Sequence, residues 1–195
     1  IVCRSDDTAI YAVQELLSVK RDAVLVCDDP ARLDTLREQF PTLAITVGDP
    51  TADEVLTSAG IARASGILVC TRSDKDNLIV TLTARQLNPG IRIVSRVEDI
   101  TTTGRVRNVG ANAVVSPRFI GGLRMVSELI RPTVVTFLDE MLRDREKNLR
   151  IEEVPIREGS RLVEKTLEDV DLRAVSSALL LACREDGKPW IYNPP

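Results

Sequence analysis

Carboxylates, a threonine and an arginine recur just past the short apolar runs of this chain. Asp6 and Asp7 follow Ile1–Cys3, Asp28 follows Ala23–Cys27, and Asp49 follows Leu43–Val47. Thr71 and Asp74 follow Gly66–Cys70, while Arg96 and Glu98 stand at the end of the run that begins at Ile91. Continuous apolar runs of this length read as parallel strands covered on both faces. Their C-terminal ends collect along one sheet edge, where open α/β sheets hold ligands. Several oxygen donors there suit a hard cation such as Ca²⁺, with Asp6, Asp7, Asp74 and Glu98 as the candidates. Asp28 stands where dinucleotide folds place an acid on ribose hydroxyls; capping the helix that starts at Pro30 is the other reading of it. Arg96 is a cation able to hold a phosphate or to pair with Asp49. Nucleophilic catalysis finds no support: the chain has no His, and nothing places a carboxylate pair around a scissile bond.

The elements that position these residues alternate. Helical apolar spacing appears at Ala9–Leu17, at Leu33–Phe40, around Val55 and Leu56 up to Gly60, and through Leu78, Leu82 and Leu87. It returns over Thr101–Val109 and, after the strand Ala113–Val115, from Pro117 to Arg131. Strands alternating with helices across short turns predict a Rossmann-like, doubly wound parallel sheet over residues 1–131. In the last helix Phe119, Ile120, Leu123, Val126, Leu129 and Ile130 cover more than a narrow stripe, which predicts packing against another subunit. Residues 132–148 read as a helical connector ending in a charge run. Residues 149–195 read as a small α+β subdomain: an alternating strand at Leu149–Ile156, a short helix at Leu162–Leu167, then a hairpin through Asp186-Gly187.

Composition narrows the partners. Aromatic residues make up 3% of the chain and the net charge is −3, with no Lys/Arg stripe free of acids. Nucleic acid and anionic membrane are therefore poor partners. The four cysteines form no CxxC pair and read as reduced, buried thiols. The chain begins inside an apolar strand and stops before its last sheet could close, so it is expected to be a piece of something longer.

A dinucleotide fold places Gly-x-Gly-x-x-Gly after its first strand; here the frame reads Arg4-Ser5-Asp6-Asp7-Thr8-Ala9. Arg4 and Asp6 disfavour a pyrophosphate built in the usual way, because Asp6 and Asp7 aim negative charge at it. Beyond that turn, Gly48-Asp49, Ala59-Gly60-Ile61, Asp74 with Asn77, Arg96-Val97 and Gly110-Ala111 with Val115-Ser116-Pro117 fall in order. This series resembles the RCK (regulator of K⁺ conductance) family, also called KTN, over Ile1–Arg131. Leu149–Pro194 resembles that family's C-terminal subdomain in truncated form.

The resemblance implies a cytosolic ligand-sensing module at the inner face of the cell membrane. It implies that the helix at 117–131 pairs two lobes into a homodimer and that dimers assemble into a ring, octameric in the family. The ring would gate a K⁺ pore, covalently linked or separate. By position, Asp49 would face an adenosine, Asp28 its ribose, and Thr71 and Arg96 the phosphates. The degenerate first turn favours the channel-type branch. Channel members that hold Ca²⁺ do so with acids at the ends of the fourth and fifth strands; here Cys70 and Arg96 stand there, with only Glu98 kept. The ligand classes left open are thus a divalent cation and an adenine nucleotide. The alternative parent is a Trk/Ktr-type transporter. An NAD(P)-dependent oxidoreductase shares the sheet but lacks both the glycine turn and a catalytic acid or base.

Overall fold

The computed structural model describes residues 1–4, 6–143, 153–166, 169–170, 179–185 and 187–194. Its order is β1 (Val2–Cys3), α1 (Asp7–Ser18), β2 (Val24–Cys27), α2 (Leu33–Gln39), β3 (Ala44–Val47) and α3 (Asp53–Ser58). There follow β4 (Gly66–Val69), α4 (Asp74–Leu87), β5 (Arg92–Arg96), α5 (Thr103–Asn108), β6 (Ala113–Val115), α6 (Pro117–Ile130) and α7 (Pro132–Arg143). Short 3₁₀ turns lead into α2 at Pro30–Arg32 and into α5 at Ile100–Thr102.

Six strands form one sheet in the order β3-β2-β1-β4-β5-β6, and every pairing is parallel. The expected doubly wound sheet is therefore observed. The order reverses between β1 and β4, which opens a crevice at their C-terminal ends. Alternation along each strand sends side chains to opposite faces. Cys3, Val26, Ile67 and Ile93 pack with Leu56, Val80 and Val106, covering one face with α3, α4 and α5. Val2, Leu25 and Cys27 pack with Ala9, Val13, Leu36 and Phe40, covering the other with α1 and α2.

Two local chemistries set the turns. Gly48 has φ +149°, and a Cβ there would lie 2.6 Å from Val55 Cγ2, so the close return of α3 onto the end of β3 requires glycine. Gly60 lies in the left-handed region at φ +81°, just past the end of α3, where the sequence places a helix stop.

The structure corrects one helical expectation. The buried residues of α4 are Asn77, Val80, Thr81, Thr83 and Ala84, whereas Leu82 is exposed and Leu78 and Leu87 are half-buried. Small side chains let α4 approach the sheet closely, so the leucines lie to its sides. The helix expected at Thr101–Val109 is present, a 3₁₀ turn at Ile100–Thr102 running into α5 at Thr103–Asn108.

Packing divides the chain into two units, Ile1–Val135 and Thr136–Pro195. In the second, described residues 182–183 (β7) pair antiparallel with Ile191–Tyr192 (β8). The expected strand at Leu149–Ile156 lies partly outside the described residues, and its described part, 153–156, carries no strand pairing. Val154 and Ile156 are exposed, so no face of an alternating strand is buried there. Described residues 161–164 form a turn rather than the start of a helix. Asp186 lies outside the described residues.

Candidate functional site

The switch point between β1 and β4 holds a cleft of about 210 Å³ lined by Arg4, Asp28, Asp49, Pro50, Thr51, Thr71 and Asp76. The C-terminal ends of four strands and the turns that follow them deliver these residues, except Asp76, which stands on the first turn of α4. Asp49 is fixed by its own turn, its Oδ1 accepting from the Thr51 amide and hydroxyl, both at 2.8 Å. Thr71 is buried. Its amide donates to Asn77 Oδ1 at 2.8 Å, and Asn77 Nδ2 donates to the carbonyls of Thr71 and Arg96 at 3.1 and 3.0 Å. Asn77 thus ties the ends of β4 and β5 to the first turn of α4. Only its place three residues after Asp74 marked it in the sequence.

Arg4 stands at the first glycine position of the dinucleotide frame and keeps that position's backbone, with φ +96°. Its Nη1 lies 3.0 Å from Asp28 Oδ2, and its Nε lies 3.7 Å from Asp6 Oδ2. Asp6 caps α1 by accepting from the Ala9 amide at 3.1 Å. Arg96 approaches Asp6 Oδ2 at 3.1 Å through Nη1 and donates to Glu98 through Nη2. Arg118 Nε, on α6, lies 2.7 Å from Glu98 Oε2. Charges therefore alternate in a row, Asp28, Arg4, Asp6, Arg96, Glu98, Arg118, running from the cleft to α6.

The row corrects the expectation for Arg96. It pairs with Asp6 and Glu98 rather than Asp49, and it is not among the cleft's lining residues. The partners that hold it are far away in sequence or on the next turn, beyond what strand-end spacing conveys. Thr51 and Arg118 carried no signal in the sequence either.

The four cation candidates do not form a donor set. Among the described residues no group of three or more His, Cys, Asp or Glu gathers as a metal site. Asp74 accepts from the amides of Glu98 and Asp99 and from the Thr102 hydroxyl. Asp6 is committed to α1 and Arg96, Glu98 to Arg96 and Arg118, and Asp7 lies 3.8 Å from Arg32. Each carboxylate has a structural partner of its own.

Cys3, Cys27 and Cys70 are buried as expected, whereas Cys183 is partly exposed. Burial pushes Cys70 up to about 12, with Asp6 adding and Arg96 opposing. Burial, then the neighbouring Cys70, pushes Cys3 up as well. A thiol held protonated is a poor nucleophile and metal ligand.

All six apolar residues expected at an interface are exposed: Phe119, Ile120, Leu123, Val126, Leu129 and Ile130. Met125 adds to them, and Val134 and Phe137 on α7 are also exposed. Among the described residues no helix is long and apolar enough to cross a membrane.

Comparison with known proteins locates this arrangement. Probable potassium channel protein 2 of Methanocaldococcus jannaschii is 34% identical over 169 residues, 83% of this chain and 49% of that protein. Potassium channel protein 1 of the same organism is 28% identical over 195 residues, all of this chain and 58% of that one. The Trk system potassium uptake protein TrkA homolog of Archaeoglobus fulgidus is 28% identical over 165 residues, 85% of this chain and 35% of that protein. The chain thus spans about half the length of the two channel proteins.

Among solved structures, the GsuK channel bound to NAD is 29% identical, with a TM-score of 0.53 over 58% of this chain and 20% of that one. GsuK bound to ADP is 25% identical, with a TM-score of 0.56 over 88% and 50%. The TrkA-N domain family matches residues 1–117, β1 through the start of α6. On that match the chain belongs to the TrkA-N family, the RCK-type domain its strand ends resemble.

Proposed function

We propose that this chain is a ligand-sensing regulatory module that controls potassium flux through a membrane K⁺ channel. The carrying observation is the polar cleft at the β1/β4 switch point, lined from the ends of four strands, in a chain whose relatives include potassium channel proteins. The ligand class is an adenine nucleotide. Asp28 takes the ribose hydroxyls, Asp49 lies beside the adenosine, and Thr71 stands on the phosphate side. GsuK, solved with NAD and with ADP, supports this class. The separate commitments of Asp6, Asp7, Asp74 and Glu98 argue against Ca²⁺ in their place.

Regulation is by population shift: a ligand that binds one ring geometry better biases the pore by that difference in affinity. Residues 1–131 form the sensing lobe, 132–148 the connector and 149–195 the C-terminal subdomain. The exposed face of α6 pairs two copies, and dimers assemble into a ring at the cytoplasmic face of the membrane. The module binds and reports rather than catalyses. A second reading, a peripheral subunit of a Trk-type transporter, is favoured by the likeness to the TrkA homolog.

A thermal-shift screen with AMP, ADP, NAD(H), Ca²⁺ and Mg²⁺, paired with sedimentation velocity, tests the proposal. An adenine nucleotide at 100 times its dissociation constant should add about 2.7 kcal/mol of stability. Response to Ca²⁺ alone would overturn the ligand class, and a monomer at every concentration would overturn the dimer.

A further inference from the structure

Two guanidiniums and a helix N-terminus make an anion seat, and in this protein the seat is already taken. The Asp6 carboxylate is buried. Its Oδ1 receives the Ala9 amide at 3.1 Å, and its Oδ2 lies 3.1 Å from Arg96 Nη1 and 3.7 Å from Arg4 Nε. Thr8 Oγ1, 3.4 Å from Arg96 Nη1, braces the same guanidinium. In the dinucleotide frame Asp6 holds the second glycine position, the one that lets backbone approach a pyrophosphate. Here that position carries a fixed negative charge.

We infer that Asp6 acts as a built-in substitute for a ligand phosphate and sets the ligand class of the cleft. On the nucleotide reading above, the cleft takes an adenine nucleoside or its monophosphate and refuses a ligand bridged by pyrophosphate. The charge count supports this. The cleft lining holds three carboxylates (Asp28, Asp49 and Asp76) against Arg4 alone, and Arg4 is itself paired with Asp28. A diphosphate brought to α1 meets the Asp6 carboxylate across a short gap, where like charges repel strongly in a partly dry site. Conversely, deleting the Asp6 charge takes from Arg4 and Arg96 the carboxylate they share and leaves them with Asp28 and Glu98. The same atoms then form a vacant seat for an added anion.

The test titrates the 195-residue chain and two variants, Asp6→Asn and Asp6→Ala, with pyrophosphate, NAD, AMP and adenosine by calorimetry. Asparagine can still cap α1, so at least one variant keeps the fold, checked by circular dichroism. The parent chain should bind AMP at least about tenfold more tightly than NAD, given the repulsion Asp6 presents to a diphosphate. Both variants should gain about tenfold or more for pyrophosphate and NAD, with adenosine unchanged. Equal affinity of parent and variants for pyrophosphate overturns the assignment of Asp6. NAD bound by the parent as tightly as AMP overturns it too. If the variants gain pyrophosphate but adenosine and AMP bind neither form, the nucleotide reading falls while Asp6 keeps its role.

Discussion

α4 and α6 are matched in length and in start, and opposite in what they bury. Each has fourteen residues and is capped by a serine, Ser73 on the Asp76 amide and Ser116 on the Phe119 amide. α4 buries five side chains, two of them threonines and one an asparagine, and none is larger than valine. α6 buries none of its residues, although its apolar side chains are larger. Apolar content therefore does not decide which helix covers its own sheet. Close approach to the strands does, and that approach selects small residues and a side chain able to satisfy strand-end backbone groups. Large apolar residues that remain exposed, such as Leu129 at 84%, are what a helix keeps for a different surface.

The contrast is sharpest at Asn77. Asn77→Ala removes three hydrogen bonds, two to the buried backbone of Thr71 and one to the Arg96 carbonyl. It should lower unfolding stability by about 3–4 kcal/mol in a denaturant titration. A loss below about 1 kcal/mol would mean that α4 is not held by this clasp. Val80→Ala, on the same buried face, should cost about 2 kcal/mol through lost burial and a residual cavity.

High pH probes the strands beneath these helices. Cys3 and Cys70 both have their thiols raised by burial, Cys70 from 9.0 to about 12. The folded state therefore holds protons that the unfolded state releases above pH 9. This stabilisation is complete below pH 9 and is lost as pH climbs toward the folded value. Stability should fall by about 1 kcal/mol for each thiol between pH 9 and 10. A flat profile there would mean that the thiols reach solvent.

The smallest effect is expected on α6. Leu129→Asp should change the stability of the monomer by less than about 0.5 kcal/mol, while shifting the sedimentation profile toward monomer. A loss of 2 kcal/mol or more would show that α6 packs on its own lobe, and the comparison with α4 would fail.

The sheet was legible because buried parallel strands read as unbroken apolar runs, and Gly48, Gly60 and Pro117 punctuate them where their backbone geometry demands it. Asp28, Asp49 and Thr71 were legible as neighbours because strand ends converge at a switch point whichever strands intervene. The ion-pair row was not. Arg96 and Asp6 lie ninety positions apart, and no local pattern marks two charges as partners at that distance. The inner face of α4 was missed because leucine spacing suggested a large-residue stripe, whereas the buried residues are Asn77, Val80, Thr81, Thr83 and Ala84. The alternation around Val154 and Ile156 resembled a half-exposed strand, but a strand also needs a partner edge, and alternation carries no information about one.

The row of alternating charges also bears on how the lobe comes apart. It joins the turn after β1 to the end of β5 and the start of α6, so fraying at one of these places deprives the others of a counter-charge. In hydrogen exchange, the amides of Ala9, Val97 and Phe119 should then open together as one cooperative unit, although they belong to three separate stretches of sequence.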